Sequence, residues 1–191
     1  MQRAVDALAL IADTDSNSTV RATAVTSLGI IGHESVFAAV LIAMADEARE
    51  VRAAAARALS RLSFDRADAY VRVIESGDVE AMRRIAEAGA KAGLAAKALD
   101  RLASDDRRLA YEAFSLLSLV VKGGRAEMIL QVVEQPGDLS VRLASARLLA
   151  LQGEADVIKR LRHVALGDGA PEKLRNAILE AIYRDDHATV E

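Results

Sequence analysis

Apolar residues recur along this chain at helical intervals. Val20, Ala24, Leu28 and Ile31 follow the i, i+4, i+8, i+11 stripe of one helix face. Val5, Leu8 and Ile11 form a stripe upstream of it. Val36, Val40, Leu41 and Met44, and later Val157, Leu161 and Val164, take the same upstream place before other stripes. Short polar turns lie between: Asp13-Thr14-Asp15-Ser16, Asp46-Glu47, Ser104-Asp105-Asp106, Gln135-Pro136-Gly137-Asp138 and Gly167-Asp168-Gly169-Ala170-Pro171. Ser and Asp there can cap the following helix by accepting its free N–H groups. Pro171 suits a first helical turn, where no N–H partner is needed. Gly32, Gly77 and Gly123-Gly124 read as helix stops or turns.

The stripes keep a register. Asp15 to Gly29 aligns without gaps on Asp46 to Ser60, so Val20-Arg21, Ala24 and Leu28 coincide with Val51-Arg52, Ala55 and Leu59. The same slot is filled by Met82-Arg83, Leu109-Ala110, Val141-Arg142 and Leu174-Arg175, in steps of 31, 31, 27, 32 and 33 residues. A helix pair of about 30 residues cannot bury its own apolar face, whereas stacked neighbours share one continuous core. The expected fold is all-α: an α-α superhelix of about six antiparallel helix pairs near 2–31, 35–62, 66–93, 94–121, 125–152 and 154–183. It forms one domain over 1–183, and 184–191 is expected to be a polar tail that frays. The short step and the Ala110 in the arginine slot predict an irregularity near 94–124.

Composition agrees with helices. The 191 residues are 52% hydrophobic but only 3% aromatic, with two prolines, both in turns. Ala, Leu, Arg and Glu are strong helix formers. A net charge of −3 with 28% charged residues argues against a protein held to nucleic acid mainly through phosphates. Cysteine is absent, which removes disulfides, thiolate nucleophiles and zinc-thiolate sites. No run of about 18 apolar residues marks a membrane span, and Asp6 and Asp13 interrupt the plan of a signal peptide. The expected location is cytoplasmic. The Ala-, Arg- and Asp-rich composition is associated with GC-rich bacterial genomes.

The turn Asp, the Val-Arg pair and the following Ala and Leu resemble the HEAT-repeat family, as found in bacterial HEAT and HEAT-like proteins. Asp15, Val20, Arg21, Ala24 and Leu28 carry the resemblance, and Asp46, Val51, Arg52, Ala55 and Leu59 carry it again. It covers nearly the whole chain and departs most in the fourth unit. The resemblance implies a ladder in which Arg21, Arg52, Arg83, Arg142 and Arg175 pair with turn aspartates, the candidates being Asp15, Asp46, Asp78, Asp138 and Asp168. A guanidinium can satisfy several acceptors in a half-buried turn. The resemblance further implies a non-catalytic scaffold or adaptor that binds another protein along the concave surface of the solenoid.

Catalytic and cofactor motifs are missing. No Gly-x-Ser-x-Gly elbow, P-loop or Gly-x-Gly-x-x-Gly occurs. His33, His163 and His187 lie far apart. The single His33-Glu34 dyad resembles those of the HEAT-like deoxyhypusine hydroxylases, but one dyad cannot fill an iron coordination sphere. Asp105-Asp106 and Asp185-Asp186 fall in a turn and the tail, where nothing drives carboxylate pKa values apart. Gly89-Ala90-Lys91-Ala92-Gly93 suits close helix packing better than phosphate binding. No enzyme, metal or cofactor is expected. HEAT-like DNA-alkylation glycosylases use aromatic side chains in a basic groove, yet this chain lacks Trp, and Tyr70, Tyr111 and Tyr183 are scattered. Nucleic acid is therefore not the expected partner. The other alternative is an accessory subunit of an enzyme complex, similar to the phycobilin-lyase type of HEAT-like protein.

Second helices tend to line the concave surface of such solenoids. Arg57, Arg61, Arg84, Lys91 and Arg147 would form a basic stripe there, with Tyr111 as an anchor. Thr23, Thr26, Glu112, Ser115, Asn176, Glu180 and Arg184 fall on the same outward positions. Ala39, Ile42 and Ala43 lie on a first helix, on its outer side or in its packing. The terminal helices offer a further route, self-association through the uncovered Val5, Leu8 and Ile11 flank.

Overall fold

A computed structural model describes residues 1–167 and 169–188, with the backbone alone for 184–188. Among the described residues there are twelve α-helices and no strand. The chain is all-α, of the α-α solenoid class, built from helix pairs at the boundaries the periodicity predicts. It divides into two compact units, Met1–Leu94 and Ala95–Glu191.

The first unit contains α1 (Gln2–Thr14), α2 (Ser18–Ile31), a 3-10 turn (Glu34–Val36) running into α3 (Phe37–Ala43), α4 (Arg49–Arg61), α5 (Arg66–Glu75) and α6 (Val79–Lys91). The second helices α2 and α4 lie side by side. Their approach is close because Gly29 faces Ala58: a Cβ on Gly29 would sit 2.6 Å from the Ala58 Cβ. Val25, Leu28, Val40, Val51 and Ala55 are fully sealed around this contact. On the other side α1 packs on α3. The third pair departs from simple stacking, because α6 packs chiefly against α3, a first helix.

The second unit begins one residue into α7 (Leu94–Arg101) and contains α8 (Arg107–Lys122), α9 (Glu127–Glu134), α10 (Leu139–Gln152), α11 (Ala155–Leu166) and α12 (Glu172–Ala188). Here α8, α10 and α12 form one layer in chain order, with α9 on α10 and α11 on α12. Leu117, Leu119, Leu148, Leu149, Leu174 and Ile178 fill its interior. The short repeat step takes the form of an eight-residue α7 followed by a sixteen-residue α8. The backbone of α12 continues to Ala188, through the first residues of the segment read as a tail.

Capping follows turn chemistry. Side chains of Asn17, Asp65, Asp78, Asp106 and Asp138 accept N–H bonds at the starts of α2, α5, α6, α8 and α10. Gly32 ends α2 in the left-handed region at φ 62°, where a side chain would be strained.

Candidate functional site

The arginine slots place their side chains differently from turn to turn. Arg21 reaches forward to the next pair, where its Nε and Nη2 donate to both Asp46 carboxylate oxygens at 2.9 Å. Its Nη1 donates back to the Asp15 carbonyl at 2.8 Å. Burial would raise the Asp46 pKa, but the Arg21 bonds and the Ala48 N–H outweigh it and hold the carboxyl below its ordinary value. Arg52 donates to main chain, the Asp46 and Glu47 carbonyls at 2.8 and 2.7 Å. Arg83 pairs on its own helix, with Glu80 at 2.7 Å and Glu87 at 3.4 Å, while Asp78 caps α6 through Ala81. Arg142 is buried and donates to the Val133 carbonyl at 2.9 Å, and Asp138 caps α10. Arg175 meets the Gly167 carbonyl at 3.4 Å. Its expected partner Asp168 lies outside the described residues.

A groove of about 770 Å³ lies in the first unit. Its floor is α3, with Ala38, Ala39, Ile42 and Ala43. One wall is α1, with Asp6, Ala9, Leu10 and Asp13. The other wall is α6, with Arg83, Arg84, Glu87, Ala88 and Lys91, and the turn residues Asp46 and Glu47 also border it. Two features of the sequence open this groove. The floor helix has seven residues and the walls thirteen each, so the walls outreach the floor. In the 31-residue register Asp6 stands where the second pair has Phe37. Phe37 is buried edge-on against Phe64 and Tyr70, with ring centroids 5.5 and 5.1 Å away. A carboxylate at the corresponding place on α1 fills far less space.

Charge is divided between the walls. The α1 side and the α3–α4 turn carry Asp6, Asp13, Asp46 and Glu47, while α6 carries Arg83, Arg84 and Lys91 with Glu87. Arg84 and Asp13 join across the groove at 2.5 Å. The floor is nearly all alanine, so a guest backbone could approach closely.

The residues expected on one basic stripe fall in both units. Arg84 and Lys91 line this groove, against first helices. Arg57 and Arg61 are exposed on α4 and are not among its lining residues. Tyr111 is 50% exposed on α8, and Arg147 is exposed on α10, both in the second unit. Ala39, Ile42 and Ala43, read from sequence as outer or packing residues, form much of the floor. What sequence reasoning missed is the α1 wall, including Leu10, which is 62% exposed. The signal was present in the break of register at Asp6.

His33, Glu34 and Asp106 have local structural roles. His33 Nδ1 accepts the Ser35 N–H, and Glu34 pairs with Arg72 at 2.9 Å. Asp106 caps α8. The side chains of Arg184, Asp185, Asp186 and His187 lie outside the described residues. Among the described residues no cluster of three or more His, Cys, Asp or Glu is arranged to hold a metal ion, and no helix is long and apolar enough to cross a membrane.

Residues 5–91 match the family of HEAT repeats. No curated protein matches the chain. Among solved structures it is similar to an engineered protein from the Northeast Structural Genomics Consortium, at 18% identity over 96% of each chain and a TM-score of 0.35. That likeness is too loose to bear on function.

Proposed function

We propose that this chain is a non-catalytic scaffold that holds a protein partner, a reading whose premise is the match of residues 5–91 to the family of HEAT repeats. The observation that carries the reading is the groove of the first unit: an alanine floor, charged walls and an open length within the segment that matches the family. Apolar floors with polar rims are the usual anatomy of protein-binding surfaces. The groove, rather than the second-helix face, is the primary contact.

The second-helix stripe is the second reading, supported by the exposure of Arg57 and Arg61 one turn apart on α4 and of Tyr111 on α8. Affinity capture from the native host, with mass spectrometry to identify the bound protein, separates the two. Ala39→Trp should fill the groove and abolish capture, while the double variant Arg57→Glu, Arg61→Glu should retain it. The opposite outcome would move the contact to the stripe. Tetrapyrrole or nucleic acid should give no saturable thermal shift; a clear one would favour an accessory-subunit or DNA-binding role.

A further inference from the structure

The groove has a size and a chemistry that define its guest. We propose that it receives about two turns of an amphipathic α-helix from the partner, with an apolar stripe bordered by basic side chains on one flank and acidic ones on the other. This rests on the scaffold reading above and adds the class of ligand.

Backbone chemistry favours a helix. An extended peptide is held by main-chain partners at a sheet edge or, as a polyproline helix, by an aromatic-lined groove, and the lining residues here include no aromatic side chain. The floor and walls here are helices whose own N–H and C=O groups are already bonded along their lengths. A helix brings its backbone bonds with it and asks the groove only for side-chain contact. Size agrees as well. A helix about 10 Å across and about 10.5 Å long, the length of seven residues, occupies roughly 800 Å³. The groove measures about 770 Å³ over a seven-residue floor. Three helices already pack around the site, α1 and α6 flanking α3, and a guest helix would complete a four-helix cluster. Leu10, exposed on the α1 wall, supplies an anchor for the apolar stripe.

Charge settles the flanks. Asp13 is already paired with Arg84, so the α1 wall offers Asp6, which asks for lysine or arginine on the guest, and the α6 wall offers Lys91, which asks for glutamate or aspartate. A helix turned end for end exchanges its flanks, so a mixed guest satisfies both walls in one of its two directions. A guest with like charges on both flanks always meets one wall of its own sign.

The test uses three fluorescein-labelled, hydrocarbon-stapled peptides of about four helical turns, sharing one Ala/Leu stripe. One carries lysines on one flank and glutamates on the other, one carries glutamates on both, and one carries lysines on both. Fluorescence anisotropy at low salt reads their affinities for the whole chain. The mixed peptide should bind about tenfold tighter than either like-charged one, as expected for one repulsive flank. Ala39→Trp should abolish binding of all three. Lys91→Glu, at the exposed end of α6 where folding is not at stake, should weaken the mixed peptide and strengthen the all-lysine one. Equal affinities, no binding, or indifference to Lys91→Glu would overturn the helical guest. If the peptides fail but Ala39→Trp still abolishes capture of the native partner, the ligand class is wrong and the scaffold reading stands. If that capture survives Ala39→Trp, both fall.

Discussion

The two units bring their second helices together by different means. In the first, α2 and α4 meet through small residues, Gly29 against Ala58, and polar groups tie the pairs: Arg21 to Asp46, and the Ser18 hydroxyl to Glu50. In the second, α8, α10 and α12 meet through branched and long apolar side chains. The hydroxyls of Ser115, Ser118 and Ser145 are sealed among them without a hydrogen-bond partner. One unit gives up side-chain volume and gains polar links between repeats. The other keeps volume and tolerates unsatisfied hydroxyls. The same repeat pattern is therefore compatible with two solutions to helix packing, and each has its own point of failure.

The comparison can be broken hardest at Gly29. Gly29→Val should cost about 3 kcal/mol, because a Cβ there already overlaps Ala58 and the added methyls force the helices apart. Urea unfolding followed by circular dichroism measures it. Next comes Arg21→Ala, which leaves the Asp46 carboxylate half-buried without its cation. Its loss of melting temperature should exceed that of Arg52→Ala, since Arg52 is exposed and bonds to carbonyls, acting on the Asp46 carboxylate more weakly and without a hydrogen bond. Equal losses would remove the special standing of the Asp46 link. In the second unit, Ser145→Ala should stabilise by about 1 kcal/mol, because it deletes a buried unpaired hydroxyl at little cost in volume. A destabilised Ser145→Ala would mean that the hydroxyl finds a partner in solution. The smallest effect is with pH. The Asp46 carboxyl titrates lower in the folded chain than when unfolded. Its contribution is complete above the unfolded value of about 3.9 and is lost as pH falls through the lower folded value. The stability gap between wild type and Asp46→Asn should hold steady above about pH 5 and narrow in acid.

The helix pairs were legible in the sequence because the apolar slots are redundant: Val20, Val51, Met82, Val141 and Leu174 keep one rhythm through loops of varying length. Burial at those slots was less legible. Val20 is 40% exposed while Val51 is fully sealed, although they hold the same repeat position. Position in a repeat states which way a side chain points, and the neighbouring pair decides what covers it. The groove escaped for the same reason. Arg84 and Lys91 were placed by counting along α6 as though it lay beside α4, but α6 packs chiefly on α3. Arg83 likewise fills the arginine slot and yet pairs with Glu80 and Glu87, which are local partners at i−3 and i+4. Local spacing is visible in one sequence; the turn of a whole module relative to the previous one is not.

The Asp46 carboxylate serves two masters, the guanidinium of the preceding pair and the Ala48 amide that begins its own second helix. Fraying of the first pair would therefore strip the start of α4 of a well-held acceptor, and loosening α4 would release Arg21. Slow-exchanging amides of α2 and α4 should open together as one block under native conditions, so that under tension this end would yield in a single rip rather than helix by helix.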